Sequence, residues 1–149
     1  MKRTIILLLL AITATANAQF NKMLGQWNTF DDKTGDMRSC VQITEQNGVY
    51  SCVVLNIYEK NADGTFKVMN PPYPKGFEHV VGSQLFVDMT ERKSYLKGKV
   101  YDPESGKTYF GKVTYEAKTD ELVLRGSLDR AGLLGRSQTW KRKIGRAHV

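Results

Sequence analysis

The chain has 149 residues, 22 of them Lys or Arg and 15 Asp or Glu, for a formal charge of +7. The excess is terminal: Lys2 and Arg3 open the chain, Arg146 lies in its last residues, and Lys141, Arg142 and Lys143 end the last patterned segment. Residues 19–140 hold 16 basic and 15 acidic groups, so a nucleic-acid partner, which needs clustered positive charge, loses most of its support.

In chain order, Lys2 and Arg3 precede an apolar run over residues 5–12, and Ala16-Asn-Ala18 follows. A charged start, a short apolar middle and small residues before a cut predict a signal peptide over residues 1–18 and an exported chain beginning at Gln19. The run is too short for a membrane-spanning helix, and Gln19 is not the Cys a lipid anchor needs, so no transmembrane anchor is expected after cleavage. The expected location is the periplasm of a Gram-negative bacterium or the exterior. At the other end, Ile144-Gly-Arg-Ala-His-Val149 equals the translated start of a common sequencing adapter and is set aside as read-through. Residues 19–143 remain as one domain, long enough to bury roughly 65% of its unfolded surface.

Residues 25–30 read as a first strand, and 31–36 as a polar turn. Residues 38–44 alternate, with Val41 and Ile43 on one face, and Asn47-Gly48 then turns the chain into a strand over 49–58, because both residues accept positive φ. Residues 59–80 form the longest irregular stretch; Pro71, Pro72 and Pro74 forbid a central strand there. Strands return at 84–89 and 95–101. Asp102-Pro-Glu-Ser-Gly106 has the chemistry of a hairpin turn, and 108–116 follows with Tyr109, Gly111, Val113 and Tyr115 on one face. Leu122 and Leu124 mark the seventh strand, 129–134 a looped crossing, and 136–142 the last strand.

Eight short antiparallel strands joined mostly by hairpins must hide their edges, which predicts an all-β, up-and-down barrel; a two-sheet sandwich is the alternative. Such a barrel either holds one small ligand or is filled by side chains.

Gly25-Gln-Trp27, Tyr101-Asp-Pro-Glu-Ser-Gly-Lys-Thr-Tyr109, Leu124-Arg-Gly126 and Gly135-Arg-Ser-Gln-Thr-Trp-Lys-Arg142, in that order, resemble the bacterial family catalogued as domain of unknown function 2147, over residues 23–142. The resemblance implies a small exported protein and no particular chemistry. The chain also resembles lipocalin-like (calycin) barrels, in which a Gly-x-Trp on the first strand lies under an Arg from the last. That likeness implies that Trp27 meets Arg136 or Arg142, a cation–π contact of roughly 0.5–2 kcal/mol. Closing the barrel end is the simpler role of the pair; lining a ligand cavity is the functional one.

Catalytic signals are sparse. Asp102 and Glu104 lack the oxygen spacing of a calcium loop, and a turn explains them. His79 alone builds neither a two-His zinc site nor a triad, the pairs Asp31-Asp32 and Asp120-Glu121 fall in turns, and no phosphate-cradling glycine loop is present. No cofactor or metal is expected. Arg125 should face outward against Leu122 and Leu124, whereas Arg136, Gln138 and Trp140 share one polar and aromatic face, which is either an interior ligand-contacting surface or an outer partner surface, with barrel-end packing the simpler role.

The cysteines turn on register. With a two-residue loop at Asn47-Gly48, Ile43 faces Cys52 and Cys40 faces Leu55, so the thiols lie on opposite sides of the sheet; with a three-residue loop they share a face but sit diagonally. A Cys40–Cys52 disulfide requires a further bulge.

Two function classes follow. One is a binding module that holds a small apolar or amphipathic ligand in the lumen, with Trp27, Tyr73, Phe77, Arg136 and Trp140 as candidate contacts and residues 59–80 over the mouth. The other is an envelope-associated structural or protein-interaction module with a filled core. A hollow interior distinguishes the first from the second.

Overall fold

The computed structural model describes residues 19–144; the expected signal peptide and nearly all of the adapter-like tail lie outside them. Nine strands follow one another: β1 (Gly25–Phe30), β2 (Met37–Gln46), β3 (Val49–Lys60), β4 (Phe66–Val68), β5 (Phe86–Glu91), β6 (Leu96–Asp102), β7 (Lys107–Glu116), β8 (Glu121–Ser127) and β9 (Gly135–Arg142). All pairings are antiparallel, and the order β2-β1-β9-β8-β7-β6-β5-β3 is closed by β2 against β3. Eight strands therefore form an up-and-down barrel, and the two-sheet alternative is excluded by this continuous ring of ladders. Among the described residues no helix is long and apolar enough to cross a membrane.

The ninth strand, β4, lies in the stretch expected to be irregular. Asn61 to Thr65 makes a tight turn, closed by the Asn61 N–H on the Thr65 carbonyl (2.7 Å), with Gly64 at φ 89°. Phe66–Val68 then pairs with Tyr58, Glu59 and Lys60 before the first proline is reached, so the proline argument holds only from residue 71 onward.

The β2–β3 hairpin has the two-residue loop, with Asn47 at φ 54° and Gly48 at φ 82°, and Ile43 stands opposite Cys52. A bulge does occur in this ladder, but it sets Cys40 opposite Asn56, further from Cys52 along β3. This register does not bring the two thiols of the candidate disulfide together: both cysteines are free and buried, Cys52 within the core and Cys40 beside Gln26 on β1.

Alternation fixes the interior. Trp27, Val41, Ile43, Cys52, Val54, Met89, Leu96, Val113, Leu122, Leu124 and Trp140 project into one cluster. A second bulge in β5, where Asp88 takes φ 51°, presses its backbone onto β6; a Cβ at Gly98 would stand 2.6 Å from the Asp88 carbonyl oxygen, so only glycine fits.

Candidate ligand-binding site

One end of the barrel is sealed. Residues 19–24 make a helical turn across it, burying Phe20 and Met23, and Phe20 packs on Tyr50 with ring centres 6.5 Å apart. The Trp27 indole N–H donates to the Met23 carbonyl (2.9 Å). Over its ring lies Arg142, guanidinium carbon 4.3 Å from the ring centre. That guanidinium donates to both Asp120 carboxylate oxygens (2.8 and 3.0 Å) and to the carbonyls of Leu24 (3.2 Å) and Lys22 (2.5 Å). Arg142 thus ties β9 to the β7–β8 turn and to the segment before β1. Gly25, at φ 111°, keeps the chain clear of the Arg142 guanidinium.

The other end is hollow. A cavity of about 1250 Å3 runs from the barrel interior to the rim formed by the β1–β2, β6–β7 and β8–β9 turns. Trp140, Leu124, Val54 and Leu85 border it deep in the barrel, and Trp140 stacks on Phe86 (6.4 Å between centres, 7° between planes). Phe66, Met69, Phe77 and Val80 border it from the long segment after β3. That segment is tied across to the β6–β7 turn by the His79 Nε2–H, which donates to the Pro103 carbonyl (2.6 Å).

The polar groups divide by depth. Within the barrel, Thr29 and Ser39 hydroxyls share a hydrogen bond (2.5 Å), while on the outer face of β1 the Tyr58 hydroxyl donates to the Asn28 side-chain oxygen (3.1 Å). Burial pushes the Tyr58 phenol up to about 12, so it remains a neutral donor. At the rim both signs appear in pairs: Arg38 with Asp31 (3.6 Å) and Glu104, Lys60 with Asp36 (3.3 Å), Arg136 with Asp32 (3.7 Å). Asp31 is held below the usual carboxylate range chiefly by the backbone N–H groups of Thr34 and Lys33. Asp102 spends its oxygens on its own turn, accepting from the Glu104 N–H (3.0 Å) and the Ser105 hydroxyl (2.7 Å). An apolar shaft with a charge-balanced polar rim accommodates a molecule with an apolar body and a polar end.

Of the candidate contacts read from the sequence, Phe77, Arg136 and Trp140 border the cavity. Trp27 does not; it belongs to the sealed end, and its cation is Arg142 rather than Arg136. Tyr73 packs against the core from the long segment without bordering the cavity. The shared face of Arg136, Gln138 and Trp140 is the cavity face, as alternation along β9 requires. Sequence reasoning missed the walls, Val54, Ile57 and Leu85; the parity of β3 pointed inward at Val54, but nothing local separates a filled position from a lining one.

Comparison with known proteins gives two matches. The sequence pattern of the family described as "Uncharacterized protein conserved in bacteria (DUF2147)" matches residues 25–142. Among solved structures, the chain is similar to protein HP1028 from the human pathogen Helicobacter pylori, described as belonging to the lipocalin family. The likeness has 25% identity and a TM-score of 0.56, and covers 81% of this chain and 82% of that one. No curated protein matches the sequence.

Proposed function

The chain belongs to the DUF2147 family of bacterial proteins, and on that premise we propose that it is a binding module carrying a small apolar or amphipathic ligand in its barrel lumen. The cavity carries this reading: about 1250 Å3 at one end of a barrel whose other end is sealed. Pockets that enclose one small molecule run to about 300–1,000 Å3, so there is room for an extended apolar body, its polar end among the paired charges of the rim. The likeness to a lipocalin-family barrel supports it, and the hollow interior weighs against the filled-core alternative. The leader-like residues 1–18 support a place of action outside the cytoplasm, where a carrier of poorly soluble molecules has a use.

The test is twofold. Protein purified under native conditions from its own host should release a defined small molecule in mass spectrometry, and the emptied barrel should bind a fluorescent apolar probe at one site per chain. Protein that carries nothing and does not bind the probe overturns the reading. Fractionation of the same cells, with the mature chain beginning at Gln19, tests the location.

A further inference from the structure

The β8–β9 turn, residues 128–134, exposes three leucines at the rim: Leu128 (71%), Leu133 (80%) and Leu134 (67%). The turn is braced. Leu128 N–H bonds the Leu134 carbonyl (2.9 Å), the Asp129 carboxylate accepts from the N–H groups of Leu133 (3.0 Å) and Leu134 (2.7 Å), and Arg125 donates to the Gly132 carbonyl (2.7 Å). The leucines are therefore held outward by an ordered backbone, at the edge of the cavity that they also border.

Beside this turn the outer face of β6, β7 and β8 is cationic. Lys97 stands opposite Lys112, and Lys112 opposite Arg125, so three positive charges lie in one cross-strand row. Lys99 on β6 and Arg130 in the turn both lie over the Phe110 ring, at 6.0 and 5.7 Å. Among the described residues none of these five groups has a carboxylate within 4.0 Å, whereas Arg38, Lys60 and Arg136 at the rim each do. Like charges directly opposite on neighbouring strands are unfavourable, so a row with no carboxylate in direct ion-pair contact, the Asp129 carboxylate in the turn acting on it at longer range through Arg125, fits an external anion. The groove between Lys97, Lys112, Arg125 and Arg130 measures about 210 Å3.

We propose that the β8–β9 turn and the adjoining outer face of β6–β8 dock the barrel on an anionic phospholipid surface, with the leucines in the headgroup–acyl boundary and the lysines and arginines on the phosphates. An apolar tip collared by cations is the pattern of an interfacial anchor. A second copy of this chain fits poorly, because two such faces would bring like charges together. Docking sets the cavity mouth against the lipid. It stands on observations separate from the ligand reading and holds whether or not the lumen is loaded.

Every strand and the whole core lie within residues 19–142, so the barrel can be made from Gln19 onward, without the apolar leader that would itself bind lipid. Flotation with phosphatidylglycerol vesicles should recover the protein, phosphatidylcholine vesicles should recover far less, and added salt should release it. Removing one lysine should weaken binding about fivefold, so the pair Lys97→Gln with Lys112→Gln loses more than tenfold while lumen probe binding is unchanged. Leu133→Ser with Leu134→Ser should lose about tenfold or more on the same vesicles, with the melting temperature retained. No binding to either vesicle, equal binding to both, or unchanged binding by both variants overturns the proposal. So does a leucine-dependent dimer without vesicle binding. Because the lumen probe is read separately, loss of docking and loss of ligand binding are told apart.

Discussion

Arg142 covers the Trp27 ring at 4.3 Å while donating to both oxygens of Asp120, so the last strand is locked over the first aromatic of the barrel at the end opposite the cavity. Because Trp27 is wholly buried and Arg142 only half-exposed, the pair acts as a plug. Trp27→Ala should cost about 3–5 kcal/mol through the void it leaves, and Arg142→Ala about 2 kcal/mol through the lost cation–π and hydrogen-bond contacts. Urea unfolding reads both. Lumen binding by the Arg142 variant under conditions where it stays folded should match the parent, which separates the plug from the site.

Acid should loosen the same plug. Hydrogen bonds from Arg142 first, and from Tyr115 as well, hold the Asp120 carboxyl below its ordinary value of 3.8. A carboxyl depressed in the folded state contributes stability that is fully present above its unfolded pKa and is lost as pH falls through the folded one. The stability gap between parent and Asp120→Asn should therefore be constant near neutrality and close below about pH 4. A gap that widens in acid contradicts the assignment. Both side chains are partly exposed, so added salt should narrow the gap too.

The two tryptophans report on opposite ends. Trp140 borders the cavity and Trp27 does not, so an apolar ligand should change Trp140 emission alone. In Trp27→Phe the ligand-induced change should persist, and in Trp140→Phe it should vanish. Retention of the change in Trp140→Phe would place the ligand elsewhere.

Neither thiol should react in the native state. Cys40 and Cys52 are both wholly buried, and burial pushes each thiol up, so the thiolate is scarce at neutral pH. Mass spectrometry should give the same mass with and without reductant. Alkylation should add two groups only after unfolding; a loss of two protons in the unreduced protein would show a bridge.

The strand positions were legible because alternation, Asn47-Gly48 and Asp102-Pro-Glu-Ser-Gly106 are local signals, and hairpins carry their register with them. The short β4 was hidden by the prolines that follow it, since a breaker at residue 71 says nothing about Phe66–Val68. Alternation also put Arg136, Gln138 and Trp140 on one face, but whether that face was the lumen or the outside, and which Arg lay over Trp27, waited on the structure: the cavity takes the first face, and the β1–β9 ladder sets Trp27 opposite Arg142.

What the sequence determined by itself was a run of short antiparallel strands and their alternation, because periodicity and turn chemistry act over a few residues; closure into a barrel rather than a sandwich came from the β2–β3 and β3–β5 ladders. Three further things only the tertiary structure decided. The bulge that puts Cys40 opposite Asn56 is a property of two strands together. The lumen beneath residues 59–80 is empty because facing side chains from all round the ring fail to meet, which no single strand encodes. And the overall charge of +7, which terminal residues largely explain, concealed a local cationic row: Lys97, Lys112 and Arg125 are far apart in the chain, and only the register of β6, β7 and β8 sets them side by side.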